Sequence, residues 1–350
     1  MLSCVYRTDS GLALEERENP ALSVGIGAVV KVSACSICGT DIRTYRFGSG
    51  KISDGQTIGH EAVGQIIELS DEHKDSFALG DRVAVAPAIG CGGCPSCVRG
   101  HTNMCDCLKT IGFDYAGGLA EYMAIPDAAF RMGNVYRLPD SPEYSGFTLC
   151  EPLACAINGQ SFLRIQKDDD VLILGSGVIG CFHAELAYLS GAGRVVMIEP
   201  SEQRRREAGA LVPDVKLIDP VRENTREAVT AMFGGKGADA VIVACSVGSA
   251  QAQGLELLEK HGRISLFGGV PGDGNGFIDS NLIHYKELSV YGAHASTPEQ
   301  NRQAMELIVS GAIQAEKYIT GRYPLTELEK VFEKCSAGEI MKAVIVNRSE

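Results

Sequence analysis

The stretch Val171-Leu172-Ile173-Leu174-Gly175-Ser176-Gly177-Val178-Ile179-Gly180 decides how the middle of this chain folds. Four consecutive apolar residues predict a strand buried on both faces, and the G-x-G-x-x-G run behind them predicts a tight turn opening a helix. The first glycine makes the turn, the second lets backbone approach a pyrophosphate, and the third allows close helix packing. The N–H groups of a helix N-terminus favour an anion, so Gly175, Gly177, Val178, Ile179 and Gly180 are candidate cofactor contacts. About 20 residues on, the apolar run Val195 to Ile198 ends in Glu199. A carboxylate there accepts both ribose hydroxyls of NAD and repels the 2'-phosphate of NADP, so NAD is expected and NADP is the weaker reading. Arg204, followed by Arg205 and Arg206, is the opposing signal, since it can neutralise a 2'-phosphate, stack on adenine or face solvent.

Working outward, strands are predicted at Arg194 to Ile198, Ala240 to Ala244 and Arg263 to Phe267, with helical stretches between them such as Glu202 to Leu211. That alternation is the pattern of right-handed βαβ crossovers and a doubly wound parallel sheet. Residues before about Leu138 read differently, as short β runs such as Ala28 to Val32, Glu61 to Leu69 and Arg82 to Pro87, separated by Gly and Asp. After about Ser289 the alternation gives way to a loop carrying Gly292, His294 and Ser296, an amphipathic helix from Pro298 to Ser310 and a final β run from Lys342 to Val346. The expected organisation is an α/β chain in which a β-rich domain, 1–152 completed by 290–350, encloses a nucleotide-binding domain, 153–289, with a ligand cleft between them.

The composition agrees with two ordinary cores: 350 residues, 45% hydrophobic and 22% charged. Its net charge of -12 makes phosphate backbones and anionic lipid unfavourable partners. The most apolar segment, Val171 to Leu189, carries His183 and Glu185 and three glycines, which excludes it as a bilayer span. Met1 to Asn19 has charges where a signal peptide needs an apolar run, so the cytoplasm is the expected location. In a reducing compartment, the 13 cysteines read as metal ligands or catalytic groups before disulfides.

Cys91, Cys94, Cys97 and Cys105 form C-x2-C-x2-C-x7-C in a Gly- and Pro-rich stretch. Four thiolates so placed can close a tetrahedron around zinc, and a site with no open position is structural. Cys107 competes with Cys105 for the fourth place on spacing alone. A second candidate set is dispersed: Cys38 in Cys38-Gly39-Thr40-Asp41, His60 and Glu61 in Gly59-His60-Glu61, and Glu151 in Cys150-Glu151-Pro152-Leu153. A Cys, a His and a carboxylate plus water make a catalytic zinc set, although the same residues also read as a His–Glu hydrogen-bonded pair and a small core thiol.

The sequence resembles the zinc-dependent medium-chain alcohol dehydrogenase family, in particular its polyol (sorbitol, L-iditol) and threonine dehydrogenase-like branch. The matching pieces are Cys38-Gly39-Thr40-Asp41, Gly59-His60-Glu61, Gly80-Asp81-Arg82-Val83, the cysteine lobe ending in Asn103-Met104-Cys105, Gly118-Leu119-Ala120-Glu121-Tyr122, Glu151-Pro152-Leu153 and the Gly175 motif. They span nearly the whole chain in order. The family's fourth lobe ligand follows an Asn by two positions, which selects Cys105. The resemblance implies a GroES-like catalytic domain, a Rossmann domain and two zincs per chain. It places the catalytic zinc on Cys38, His60 and either Glu61 or Glu151, with Asp41 orienting His60. An exchange of the two glutamates would change the charge around the metal and help product leave.

The implied chemistry is hydride transfer between a secondary alcohol and NAD, with Thr40 passing the proton toward the nicotinamide ribose. Relatives often complete that path with a His three residues later, where this chain has Arg43, which cannot deprotonate near neutral pH. Water then completes the path, or Arg43 binds an anionic group of cofactor or substrate. Sorbitol dehydrogenases carry an Arg-Tyr pair where this chain reads Ala293-His294-Ala295-Ser296, so the polyol pocket is altered. Phe113 and Tyr45 are candidate pocket walls. The expected substrate is a small alcohol: a polyol or sugar acid first, a cyclitol or aminocyclitol second, L-threonine third. An NADPH-dependent ketone reductase is the other enzymatic reading, and a non-catalytic NAD-binding protein is set aside because the zinc ligands are retained. A homodimer or homotetramer follows from the resemblance alone.

Overall fold

A computed structural model describes residues 1–270 and 277–347, so 271–276 and 348–350, which fall in the expected domain spans, lie outside the described residues. The chain forms two compact units, Met1–Ala154 with Ala295–Glu350, and Cys155–His294.

The first unit begins with the antiparallel pair β1 (Leu2–Arg7) and β2 (Gly11–Glu16). β3 (Ile26–Ser36), α1 (Gly39–Phe47), β4 (Ala62–Leu69) and β5 (Arg82–Val85) follow, then the short pair β6 (Ala88–Ile89) and β7 (Lys109–Thr110) flanking α2 (Pro95–Val98). β8 (Tyr122–Pro126), α3 (Asp127–Arg131) and β9 (Val135–Arg137) complete this part, and α4 (Cys150–Ser161) begins in the first unit and ends in the second. β3 reads Ile-Gly-Ala-Val-Val-Lys-Val-Ser-Ala-Cys-Ser, with only Lys31 and Ser33 interrupting its buried residues after Gly27. It pairs with both β4 and β8, and Val30 and Val32 pack in one core with Ile66, Met123 and Ile125.

The second unit is a parallel sheet of β10 (Asp170–Leu174), β11 (Arg194–Ile198), β12 (Lys216–Ile218), β13 (Ala238–Val243), β14 (Leu258–Leu266) and β15 (Ser289–Gly292). Its helices are α5 (Val178–Leu189), α6 (Glu202–Leu211), α7 (Thr225–Met232), α8 (Gly248–Glu256) and α9 (Ser280–Lys286). The order β12-β11-β10-β13-β14-β15 is that of a Rossmann sheet, with the direction of winding reversing beside β10. Every residue of β10 is buried, as its unbroken apolar run requires. The structure corrects one expectation: the segment from Ser289, read as a loop, is the sixth strand, with Val290 in register with Ile264. Four residues ending in Gly292 are too few to show a periodicity, and only the preformed edge of β14 makes them a strand.

The returning segment completes the first unit with α10 (Pro298–Val309), β16 (Gly321–Tyr323), α11 (Leu328–Ala337) and β17 (Ala343–Val346). α10 starts at a capping box, Thr297 with Gln300, with Pro298 in its first turn. α11 buries Leu328, Val331, Phe332 and Cys335 on one helical face. β17 lies antiparallel to β3, pairing Val344 with Ser36, so the sheet runs β16-β17-β3-β4-β5-β9. That pairing carries the last strand of the chain to the turn where α1 begins.

Candidate metal centres and cofactor site

Cys38 is the N-cap of α1, and its Sγ accepts the N–H of Thr40 at 3.5 Å. Asp41 closes the capping box, its Oδ2 accepting the N–H of Cys38 at 2.9 Å while its Oδ1 faces His60 Nδ1 at 3.7 Å. One buried carboxylate therefore closes the cap and sets its negative charge beside the imidazole, whose Nδ1 has no hydrogen-bond partner among the described residues. Ligand atoms of Cys38, His60 and Glu61 all lie within 4.8 Å of one another. Burial opposes a proton on His60, but the anions of Asp41, Cys38 and Glu151 overcome it and hold the imidazolium well above its usual range. A divalent cation satisfies the same negative field.

Glu61 is buried, and its two oxygens differ. Oε2 accepts from Lys342 Nζ and from Ser36 Oγ, whereas Oε1 has no hydrogen-bond partner among the described residues. A buried carboxylate that keeps one oxygen bare, in a residue clustered with a thiol and an imidazole, fits a metal ligand. Glu151, in the first turn of α4, is half-buried and close enough for its charge to act on His60 and Lys342, but it stands outside the 4.8 Å cluster. Lys342 was not among the sequence candidates. It is 5% exposed, also donates to Ile37 O at 3.1 Å, and keeps its charge because Glu61, Cys38 and Glu151 more than offset the cost of burial. The only sequence signal for it is a lone lysine opening an otherwise apolar final strand.

Thr40 is half-buried on the first turn of α1, and Arg43 Nη2 donates to its Oγ1 at 3.2 Å. The Phe113 ring lies 5.7 Å from that of His60, whereas Tyr45 stacks on Phe332 at 5.2 Å and belongs to the packing of α1 on α11. The His294 carbonyl accepts from Asn158 Nδ2 at 3.3 Å, and Ala295 beside it takes a left-handed φ of 50°.

In the cysteine lobe, ligand atoms of Cys91, Cys94, Cys97 and Cys105 also lie within 4.8 Å of one another. Backbone N–H groups point at these sulfurs, Cys91 N and Cys107 N at Cys105 Sγ (3.2 and 3.3 Å) and Cys94 N at Cys91 Sγ (3.4 Å). Such donors pull Cys94 down to about 6, while burial pushes Cys105 up to about 12. The donor set fits a closed zinc site, whose cation would hold the two inner sulfurs as thiolates. Cys107 is exposed and contributes its N–H.

The glycine motif turns off the end of β10. Gly175 has φ +103°, and a Cβ on Gly180 would lie 2.1 Å from the Gly175 carbonyl, so the first position needs the left-handed backbone and the third needs the absent side chain. Gly177 caps α5, with Val178 and Ile179 half-buried in its first turn. Glu199 is 4% exposed, its Oε2 accepting Ser176 N and its Oε1 Ser201 N, both at 3.0 Å. The acidic residue is thus locked against the glycine turn. Arg205 is committed to the carbonyls of Glu199 and Pro200 and to Asp219, whereas the Arg204 side chain is exposed.

Comparison with known proteins matches residues 27–140 to the family model "Alcohol dehydrogenase GroES-like domain" and 178–310 to "Zinc-binding dehydrogenase". The chain is 33% identical over 351 residues to L-threonine 3-dehydrogenase of Pyrococcus horikoshii, covering 98% of this chain and 97% of the relative. It is 32% identical over 321 residues to L-galactonate-5-dehydrogenase of Escherichia coli K12, covering 91% of each. A zinc-binding dehydrogenase from Sinorhizobium meliloti 1021, solved bound to NADP, superposes with a TM-score of 0.91 at 29% identity, covering 99% of both chains.

Proposed function

The chain belongs to the zinc-dependent medium-chain alcohol dehydrogenase family, and we propose that it oxidises the secondary alcohol of a polyol, sugar acid or cyclitol, with NAD as acceptor. The observation that carries this reading is the clustering of Cys38, His60 and Glu61, a buried carboxylate with one oxygen bare, beside the charge of Asp41. When bound, zinc supplies a Lewis acid that lowers the pKa of the substrate hydroxyl, and the nicotinamide supplies the hydride acceptor. Cys38, His60 and one of Glu61 and Glu151 would hold that zinc, and Cys91, Cys94, Cys97 and Cys105 the structural one. Asp41, whose Oδ1 lies 3.7 Å from His60 Nδ1, would steady the imidazole through its charge. Lys342 and Ser36 hold Glu61 by one oxygen, leaving the other without a partner among the described residues. Thr40 Oγ1 would accept the proton leaving the alcohol as its own hydroxyl proton passes on to water, while Arg43, a permanent cation, anchors it from the side.

The catalytic part is read as 1–152 completed by 290–350 and the cofactor part as 153–289, a division supported by the compact units ending at Ala154 and His294. Preference for NAD is supported by Glu199, whose buried carboxylate a 2'-phosphate would have to approach. The 13 cysteines, four of them gathered as a metal-ligand set, support a reducing, cytoplasmic setting, and no described helix is long and apolar enough to cross a membrane. A homodimer or homotetramer is part of the same reading.

The test is NADH formation by zinc-replete protein over a panel of polyols, sugar acids, cyclitols and L-threonine, beside metal analysis. Cys38→Ser is expected to lose one zinc of two and all turnover. Turnover that survives the substitution would overturn the assignment, and a preference for NADPH-driven ketone reduction would reverse the direction proposed.

A further inference from the structure

Among the described residues Arg43 has no compensating charge. It follows Thr40 by one helical turn on α1, so the two side chains share a face, and Nη2 reaches Thr40 Oγ1 at 3.2 Å. The chain has 44 acidic residues against 32 basic, and arginines elsewhere use them: Arg7 holds Glu15, Arg137 Asp81, Arg194 Asp170, Arg205 Asp219, and Arg263 Asp169. Among the described residues Arg43 is exposed and makes no ion pair. The nearest acid in sequence, Asp41, is buried and already serves Cys38 and His60. Arg46, one turn further on, lies over the Phe47 ring, 5.0 Å from its centre. A guanidinium one hydrogen bond from the proton-accepting hydroxyl is therefore left with Nε, Nη1 and half of Nη2 free, enough to grip two oxygens of an anion.

We propose that Arg43 is a specificity-determining residue that selects an anionic substrate, an alcohol carrying a carboxylate or phosphate a few bonds from the carbon that is oxidised. This rests on the alcohol-oxidising reading above and narrows it. A neutral polyol gains nothing from the guanidinium, and a cationic aminocyclitol meets like charge there. Carboxylate and phosphate share the recognition chemistry, and the phosphates of the cofactor are the competing source of the same anion.

Calorimetric titration of the zinc-loaded protein with gluconate, sorbitol 6-phosphate and sorbitol, and separately with NADH, distinguishes the sources without relying on turnover. At least one of the two anions is expected to bind tighter than sorbitol by about tenfold or more. Arg43→Gln should erase that margin, Arg43→Lys should keep part of it, and NADH affinity should stay unchanged. Equal affinity for the anions and sorbitol overturns the proposal. So does an Arg43→Gln protein that keeps the margin but loses NADH affinity, which would assign the guanidinium to the cofactor. If anions bind through Arg43 and nothing on the panel is oxidised, the inference stands and the alcohol-oxidising reading falls. If sorbitol is oxidised as well as gluconate and its phosphate, the reading stands and the inference falls.

Discussion

Replacing His183 by leucine should remove a specific part of this protein's sensitivity to acid. His183 lies inside α5 with 0% of its surface exposed and its ring edge-on to Phe267 at 4.9 Å. Neither ring nitrogen has a hydrogen-bond partner among the described residues, and burial pulls its pKa from 6.5 down to about 3. Between those two values the unfolded chain takes up a proton that the folded chain refuses. The folded-state pKa is the depressed one, so the associated stability is fully present above 6.5 and drains away as pH falls toward 3. Integrated from about pH 7 to about pH 5, that one group costs about 2 kcal/mol, a large share of an ordinary folding free energy. His183→Leu should therefore lose about 2 kcal/mol less than the parent over that interval. It should also gain about 1 kcal/mol or more at neutral pH, because two unpaired buried polar atoms are removed. Urea unfolding of both proteins at the two pH values measures this, and the acid lability of the metal sites cancels because the ligands are common to both. Parallel losses in the two proteins would refute the argument, showing that His183 finds a partner or a proton in the folded state.

Asp41→Asn should weaken zinc binding at the Cys38 centre by about 10- to 100-fold, since the imidazole loses its charged support, and competition with a chromophoric chelator would read it; unaltered affinity would show that the 3.7 Å approach orients nothing. Lys342→Met should destabilise the metal-free protein by about 3 to 5 kcal/mol because Glu61 is left as a buried anion, with Lys342→Arg restoring part of it in a urea titration. Glu199→Ala should shift the ratio of NADH to NADPH dissociation constants by about tenfold or more toward NADPH, because it removes both the ribose acceptor and the repulsion of a 2'-phosphate. A ratio that stays put would place cofactor choice elsewhere, with Arg204 the first residue to test.

The nucleotide-binding half was legible in the sequence because its signals are local. An apolar run such as Val171 to Leu174 must be buried on both faces, and Gly175 and Gly180 are the residues that a left-handed turn and a helix packed against it demand. The cysteine lobe was legible for the same reason, since four thiols within 15 residues need only local turns to meet. Cys38, His60, Glu61 and Glu151 were suggested by resemblance, but that the first three converge, with Glu151 just beyond them, was decided by the pairing of β3 with β4 and the cap of α1. Lys342 was beyond sequence reasoning altogether. It stands 281 residues from Glu61 and reaches it only because β17 returns to pair with β3. β15 was missed likewise, being a strand by virtue of the edge it meets. Short-range patterning and steric need are written in consecutive residues, whereas which buried charge finds which partner depends on strand register between distant segments, and only the folded chain sets that.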